Sequence, residues 1–109
     1  MKIKILKFIS TLIVFFITPN ITMADTALDI YMNDFYSKSN EASRILREIE
    51  ADLKEGSREK VCSRQRKAAR LGLLANKSLI RAFEIEGKTP PMETIKISQK
   101  RWESILNEC

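Results

Sequence analysis

The chain contains no histidine, and only three glycines, three prolines and one tryptophan. The missing histidine removes the side chain most used as a general base near neutral pH, and the commonest metal ligand of exported proteins. Ser-His-Asp and Cys-His constellations are therefore impossible. With so little glycine there is no phosphate-cradling loop. No group of cysteines and carboxylates has metal-ligand spacing. The acids are spread along solvent faces, and Glu84 and Glu86, two residues apart, cannot share a helical face. An enzyme is not expected, and neither is a cofactor or a metal.

Long apolar runs are also missing, except at the start. Lys2, Lys4 and Lys7 precede the apolar residues 8–17 (FISTLIVFFI), which are followed by the helix-breaking Thr18-Pro19-Asn20. Thr22 and Ala24 are the small residues that a signal peptidase accepts at minus three and minus one. The pattern predicts a secretory signal over residues 1–24, cut after Ala24. The competing reading is a membrane anchor, but a bilayer needs roughly twenty apolar residues and this run is far shorter. No cysteine stands at the cut, which argues against a bacterial lipoprotein.

The expected mature chain, residues 25–109, is 85 residues long and reads as one domain. The formal charge of +5 overstates its basicity, because losing Lys2, Lys4 and Lys7 leaves 16 basic against 14 acidic residues, a net of +2. Nucleic acid is not an expected partner. Charge is distributed in blocks instead. Residues 25–55 hold eight acids against four bases, whereas residues 58–81 hold eight bases against Glu59 alone.

Both cysteines, Cys62 and Cys109, remain after processing. In an exported chain a pair of thiols reads most simply as one disulfide. The alternatives are two free thiols or a bridge between molecules. A small chain buries a modest share of its surface and often needs such a staple.

Glycine and proline punctuate the mature chain at only two places, Gly56 and the run Gly87-Lys88-Thr89-Pro90-Pro91. The three segments between have helical periodicity and none alternates with period two, so the fold class is all-α. Segment one, about 26–55, has Thr26 as its expected N-cap and Asp29 three residues on. Its stripe Leu28, Met32, Phe35, Ala42, Leu46, Ile49 and Leu53 alternates steps of four and three, with Ser39 interrupting. Segment two, about 57–86, has Ser57 as expected N-cap with Glu59 in the first turn. Its broad apolar arc includes the small residues Ala68, Gly72 and Ala75, which suits a central helix with two neighbours, and Gly72 is a possible kink. Segment three, about 90–108, has Thr89 as expected N-cap and Pro90 at the first helical position. Its stripe is Met92, Ile95, Trp102, Ile105, Leu106 and Cys109.

Short connections between three amphipathic helices predict an antiparallel up-down-up bundle closed by Cys62–Cys109. Helical rise alone leaves the two cysteines roughly 9 Å out of register. A helix two ending near Phe83, or kinked at Gly72, would remove that offset.

The candidate functional residues are the outward bases of segment two: Arg66, Lys67, Arg70, Lys77 and Arg81. They read either as a solvated face neutralised by the acidic first helix, or as a docking surface for an acidic protein or an anionic membrane. Tyr31, Phe35 and Tyr36 are expected at the core or its edge, as is Trp102. Asn76-Lys77-Ser78 matches a glycosylation sequon but falls mid-helix, and is discounted for an expected bacterial source.

At the level of overall plan the chain resembles the small exported killer or helper proteins of conjugative-plasmid transfer regions, the KikA type. The resemblance is carried by the leader MKIKILKFISTLIVFF, by a helical mature part of this length and by the pair Cys62 and Cys109. The leader predicts a periplasmic or secreted protein, and the resemblance implies a role near a transfer apparatus, with host-specific killing as a by-product. The expected function is non-enzymatic protein–protein interaction in the bacterial envelope, as an accessory, inhibitor or immunity factor. The alternative is an exported toxic protein acting on membranes through its basic amphipathic helix.

Overall fold

Glycine makes both chain reversals. Gly56 (φ 85°) and Gly87 (φ 73°) occupy the left-handed region, where a side chain is disfavoured. The Gly56 N–H donates to the Leu53 carbonyl at 3.0 Å, and the Ser57 N–H to the Asp52 carbonyl at 2.8 Å. The second reversal repeats the pattern, with Gly87 donating to Glu84 at 3.0 Å and Lys88 to Phe83 at 2.9 Å. Each is a Schellman closure that satisfies the last carbonyls of a helix. The protein is seen here as a computed structural model that describes residues 23–109, with side-chain environments from residue 26 onward. It is all-helical, with α1 (Met23–Lys54), α2 (Val61–Ile85) and α3 (Met92–Asn107), and no strand among the described residues. The expected signal run, residues 8–17, and the Thr18-Pro19-Asn20 break lie outside them.

The helix starts differ from the sequence reading at all three N-termini. α1 begins at Met23, so Thr26 sits inside the helix and not at its N-cap. Met23 and Ala24 favour a helix, and no helix breaker separates them from Thr26. α2 begins at Val61, not at Ser57, whose N–H closes α1. Residues 57–60 then form a loop, and Lys60 at the N-cap is left-handed (φ 51°) with no side-chain cap. Glu59 therefore lies before the helix. α3 begins at Met92 with Pro91 at the N-cap, so neither Thr89 nor Pro90 has its expected role. The second proline is the reason: a residue preceding proline is pushed out of the helical region, and here that residue is Pro90.

Helix α2 packs against both neighbours, while the backbones of α1 and α3 remain more than 8 Å apart. Its inner face is built from Ala68, Ala69, Gly72, Ala75 and Ala82, all buried. Ala42, Ile45 and Ile49 of α1 join Ala68 in the main apolar cluster, with Leu46, Val61, Leu71 and Trp102 against it. The Trp102 indole packs against Gly72, where an added Cβ would stand 2.1 Å from its Cε2. α2 runs unbroken through Gly72, so the expected possible kink is absent. Tyr31 and Phe35 are half-buried and Tyr36 is exposed, its ring 5.1 Å from that of Phe35. The stripe of α1 is only partly covered: Ala42 and Ile49 are buried, but Leu53 is exposed.

Cys62 and Cys109 are joined in one intrachain disulfide, with their Cα atoms 5.6 Å apart. Neither proposed adjustment closes the register, because α2 continues past Phe83 to Ile85 and does not break at Gly72. The chain uses non-helical residues instead. Residues 88–91 lie outside helices, where a residue can span up to about 3.3 Å rather than 1.5 Å. Further along the same seam, Gln65 Nε2 donates to Glu108 at 3.0 Å and Asn76 Nδ2 to Ser98 Oγ at 3.2 Å. Asn76 and Ser78 are buried, so the sequon is closed to glycosylation in the folded chain.

Two predictions follow from this packing. Gly72→Ala should destabilise the fold by about 1–3 kcal/mol, the usual cost of overpacking, because the new methyl displaces Trp102. Urea unfolding followed by tryptophan fluorescence checks it, and an unchanged midpoint would mean that Trp102 does not rest on Gly72. The Cys62→Ser/Cys109→Ser double variant should lose about 4 kcal/mol on the chain-entropy account of a loop this long. A loss close to zero in the same titration would remove the staple from the account of stability.

Candidate functional site: the outer ridge of α2

The apolar arc of α2 is turned inward, so the opposite face of the helix is turned to solvent. Arg66, Arg70, Leu74, Lys77 and Arg81 follow one another at steps of four, four, three and four, which keeps them on one line. Lys67 flanks this line on the α1 side. Lys67, Arg70, Lys77 and Arg81 are exposed and Arg66 is half-buried. All five residues singled out from the sequence thus lie on one outward face.

The sequence offered a bland account of these charges, neutralisation by the acidic α1. The ion pairs divide differently. Arg44 takes both Glu41 and Glu48 within α1, donating to Glu41 through Nε at 2.9 Å. Lys38 takes Asp34, also within α1. Between α1 and α2 the ion pair formed is Arg64 to Asp52, at 2.8 Å, and Arg64 also donates to the Glu59 carbonyl at 3.0 Å. Arg64 therefore pins the α1–α2 loop and is not part of the ridge. Among the described residues, Arg66, Lys67, Arg70 and Lys77 form no ion pair. Lys67 comes near enough to Glu41 only to help hold that carboxyl below its usual range, after the larger effect of Arg44.

Arg81 differs from the other four. Its guanidinium lies 5.8 Å from the centre of the Tyr31 ring and 3.4 Å from Glu84. Tyr31 first, and then Glu84, hold its pKa above the ordinary value. Arg81 anchors the end of the ridge to α1, leaving Arg66, Lys67, Arg70 and Lys77 as the unengaged cations.

Two features were missed in the sequence. Leu74 sits in the middle of the ridge and is 45% exposed. Its signal was present, since it stands four residues after Arg70 and three before Lys77, off the apolar arc. The second is a groove between α1 and α3, lined by Phe35, Ser39 and Ser43 on one wall and Ile95, Ser98 and Trp102 on the other. It exists because α2 holds its neighbours apart, and the interrupting Ser39 lies on its wall. Comparison with known proteins adds no relative: no family model, curated protein or solved structure matches the chain.

Asp34 forms a polar node behind the ridge. It accepts from Lys38 on its own helix and from the Ser78 hydroxyl of α2. Lys38 first, and Ser78 second, hold its carboxyl below the ordinary value of 3.8. A depressed folded-state pKa adds stability that is present above the unfolded value and is lost as pH falls through the folded one. Asp34→Asn should therefore flatten the fall in stability between about pH 5 and pH 2 relative to the parent chain. Urea midpoints across that range decide the matter, and parallel curves would mean the node contributes nothing.

Proposed function

We propose that the protein is a non-enzymatic, exported component of the bacterial envelope that works by docking on an acidic protein through the outer ridge of α2. The single observation that carries this reading is the unengaged charge. Four cations share one face and form no ion pair among the described residues, while Glu41, Glu48, Asp34 and Asp52 of α1 are engaged by Arg44, Lys38 and Arg64. A partner is then the source of counter-charge, and electrostatic matching supplies orientation and association rate. The Cys62–Cys109 bridge fits an oxidising compartment, periplasmic or extracellular, in keeping with the expected leader. An accessory role near a conjugative transfer apparatus is the form of this function suggested by the resemblance of the leader and the cysteine pair.

The bundle that presents the ridge is read as up-down-up and antiparallel. Asp52 meets Arg64 and Asp34 meets Ser78, so partners rise along α2 as they fall along α1. Gln65 with Glu108 and Asn76 with Ser98 follow the same rule on the other side.

The alternative, a membrane-acting killer that uses α2 as its effector, is less well supported. The apolar face that would enter a bilayer is committed to packing through Ala68, Ala69, Gly72, Ala75 and Ala82. Its small residues suit close helix contact and offer little area for insertion. No described helix is long and apolar enough to cross a membrane.

The test is charge reversal at the free cations, leaving Arg81 in place because it braces α1. Arg66→Glu/Arg70→Glu/Lys77→Glu should keep the helical circular-dichroism signal and lose a specific partner recovered by the parent chain from an envelope extract. Recovery of the same partner by the reversed variant would sink the docking reading. Dye release from anionic vesicles by the parent chain, abolished in the variant, would favour the membrane-acting alternative.

A further inference from the structure

Resting on the docking reading above, we infer that the ridge seats an acidic amphipathic helix of its partner, with Leu74 as the apolar contact at the centre of the joint. Leu74 is one of several exposed large apolar residues, with Ile30, Tyr36, Leu53, Met92 and Ile97, and its place on the cationic line singles it out. It stands 45% exposed among cations, with Lys67 and Arg70 before it and Lys77 after it. The arrangement is the inverse of the inner face: there small residues admit a neighbour closely, here one branched residue projects from a charged line. The line from Arg66 to Lys77 covers about 16 Å of straight helix, three turns. Its steps of four and three match the side-chain rows of an opposing helix, so carboxylates at the same steps would meet the cations while one apolar residue covers Leu74. Burying an apolar centre inside a ring of charge pairs is the ordinary build of a small interface.

The other anionic surfaces fit less well. A bilayer would gain only one inserted leucine along the whole line, too little apolar area for a surface-lying helix. A phosphate backbone offers only sugar C–H groups to Leu74 and no side chain that can cover it. A helix supplies both kinds of group in one rigid element.

The test uses the purified, disulfide-bonded chain and a stapled synthetic helix that carries glutamates on one face with a single leucine among them. Its control is a stapled peptide of the same composition whose glutamates are scattered around the helix. Fluorescence anisotropy should show the facially acidic helix binding about tenfold more tightly than the scattered one. Leu74→Ser should weaken that binding about fivefold and leave the scattered peptide unaffected. Raising salt should weaken both peptides. Equal affinity for the two peptides, with binding still abolished by Arg70→Glu/Lys77→Glu, would overturn the helix and its leucine contact while leaving a docking face for diffuse charge. Binding to the facially acidic helix that survives the charge reversal would overturn the docking reading together with this one. Binding to anionic vesicles or duplex DNA in place of either peptide would also overturn it. Helical circular dichroism of each variant separates lost binding from lost folding.

Discussion

Helix α2 must touch two neighbours along most of its length, and it does so with the smallest side chains available. Ala68, Ala69, Gly72, Ala75 and Ala82 bring backbones close but bury little apolar area each. Hydrophobic stabilisation scales with apolar area removed from water, at about 25 cal/mol per Å². A seam of alanines therefore gives the fold its geometry more than its stability. The larger apolar groups sit around the seam, with Ile45 and Ile49 on one side and Ile95 and Trp102 on the other. α3 is the most exposed to this limit, since its backbone approaches α2 alone. The disulfide at Cys109, two residues past its end, ties down its C-terminus, and Trp102 on Gly72 holds the helix against α2. Losing either should loosen α3 before α1, which shares a longer seam with α2.

The polar contacts divide along the same lines. Within the core they are few and cross between helices: Asn76 to Ser98 and Ser78 to Asp34. A buried amide or hydroxyl left without a partner costs about 1–3 kcal/mol, so these pairs fix the axial position of each helix against α2. On the surface the ion pairs are mostly local, three to four residues apart, and each is worth a few tenths of a kcal/mol. Their consequence is electrostatic more than energetic. By taking up the acids of α1 locally, they leave the outer face of α2 uncompensated.

Three helices and their two breaks were legible because Gly56 and Gly87 are where the periodicity stops, and both act as C′ glycines. The cysteine pairing was legible for the same reason that the offset was overestimated: helical rise per residue is fixed, but the extended stretch around Pro90-Pro91 was counted as if it were helix. The N-termini were misread because capping rules were applied to each helix alone. Ser57 is a good N-cap residue, yet it belongs to the closure of α1 and the helix starts four residues later, and the claim of Thr89 and Pro90 failed against the proline that follows them. Of the candidate site, the cations were legible as a face, since opposition to the apolar arc needs only the helical period. Their freedom from α1 was not, because it depends on Arg44 and Lys38 choosing partners on their own helix. Leu74 was overlooked because an arc drawn through the apolar residues has no place for one outside it.

The ridge also carries a cost that the fold does nothing to relieve. Arg66 with Arg70, Lys67 with Arg70, and Lys77 with Arg81 are like charges three or four residues apart, each unfavourable by a few tenths of a kcal/mol. In a domain whose core is mostly alanine, such repulsion is a visible fraction of what can be spared. No packing role offsets it at Arg70 or Lys77, which are exposed and form no ion pair among the described residues. Polar residues without charge would serve the fold better at those positions. A stripe that weakens its own helix, surrounds an exposed leucine and meets its neighbour's acids only through the approach of Lys67 to Glu41 is the kind of face that the proposed acidic partner would compensate.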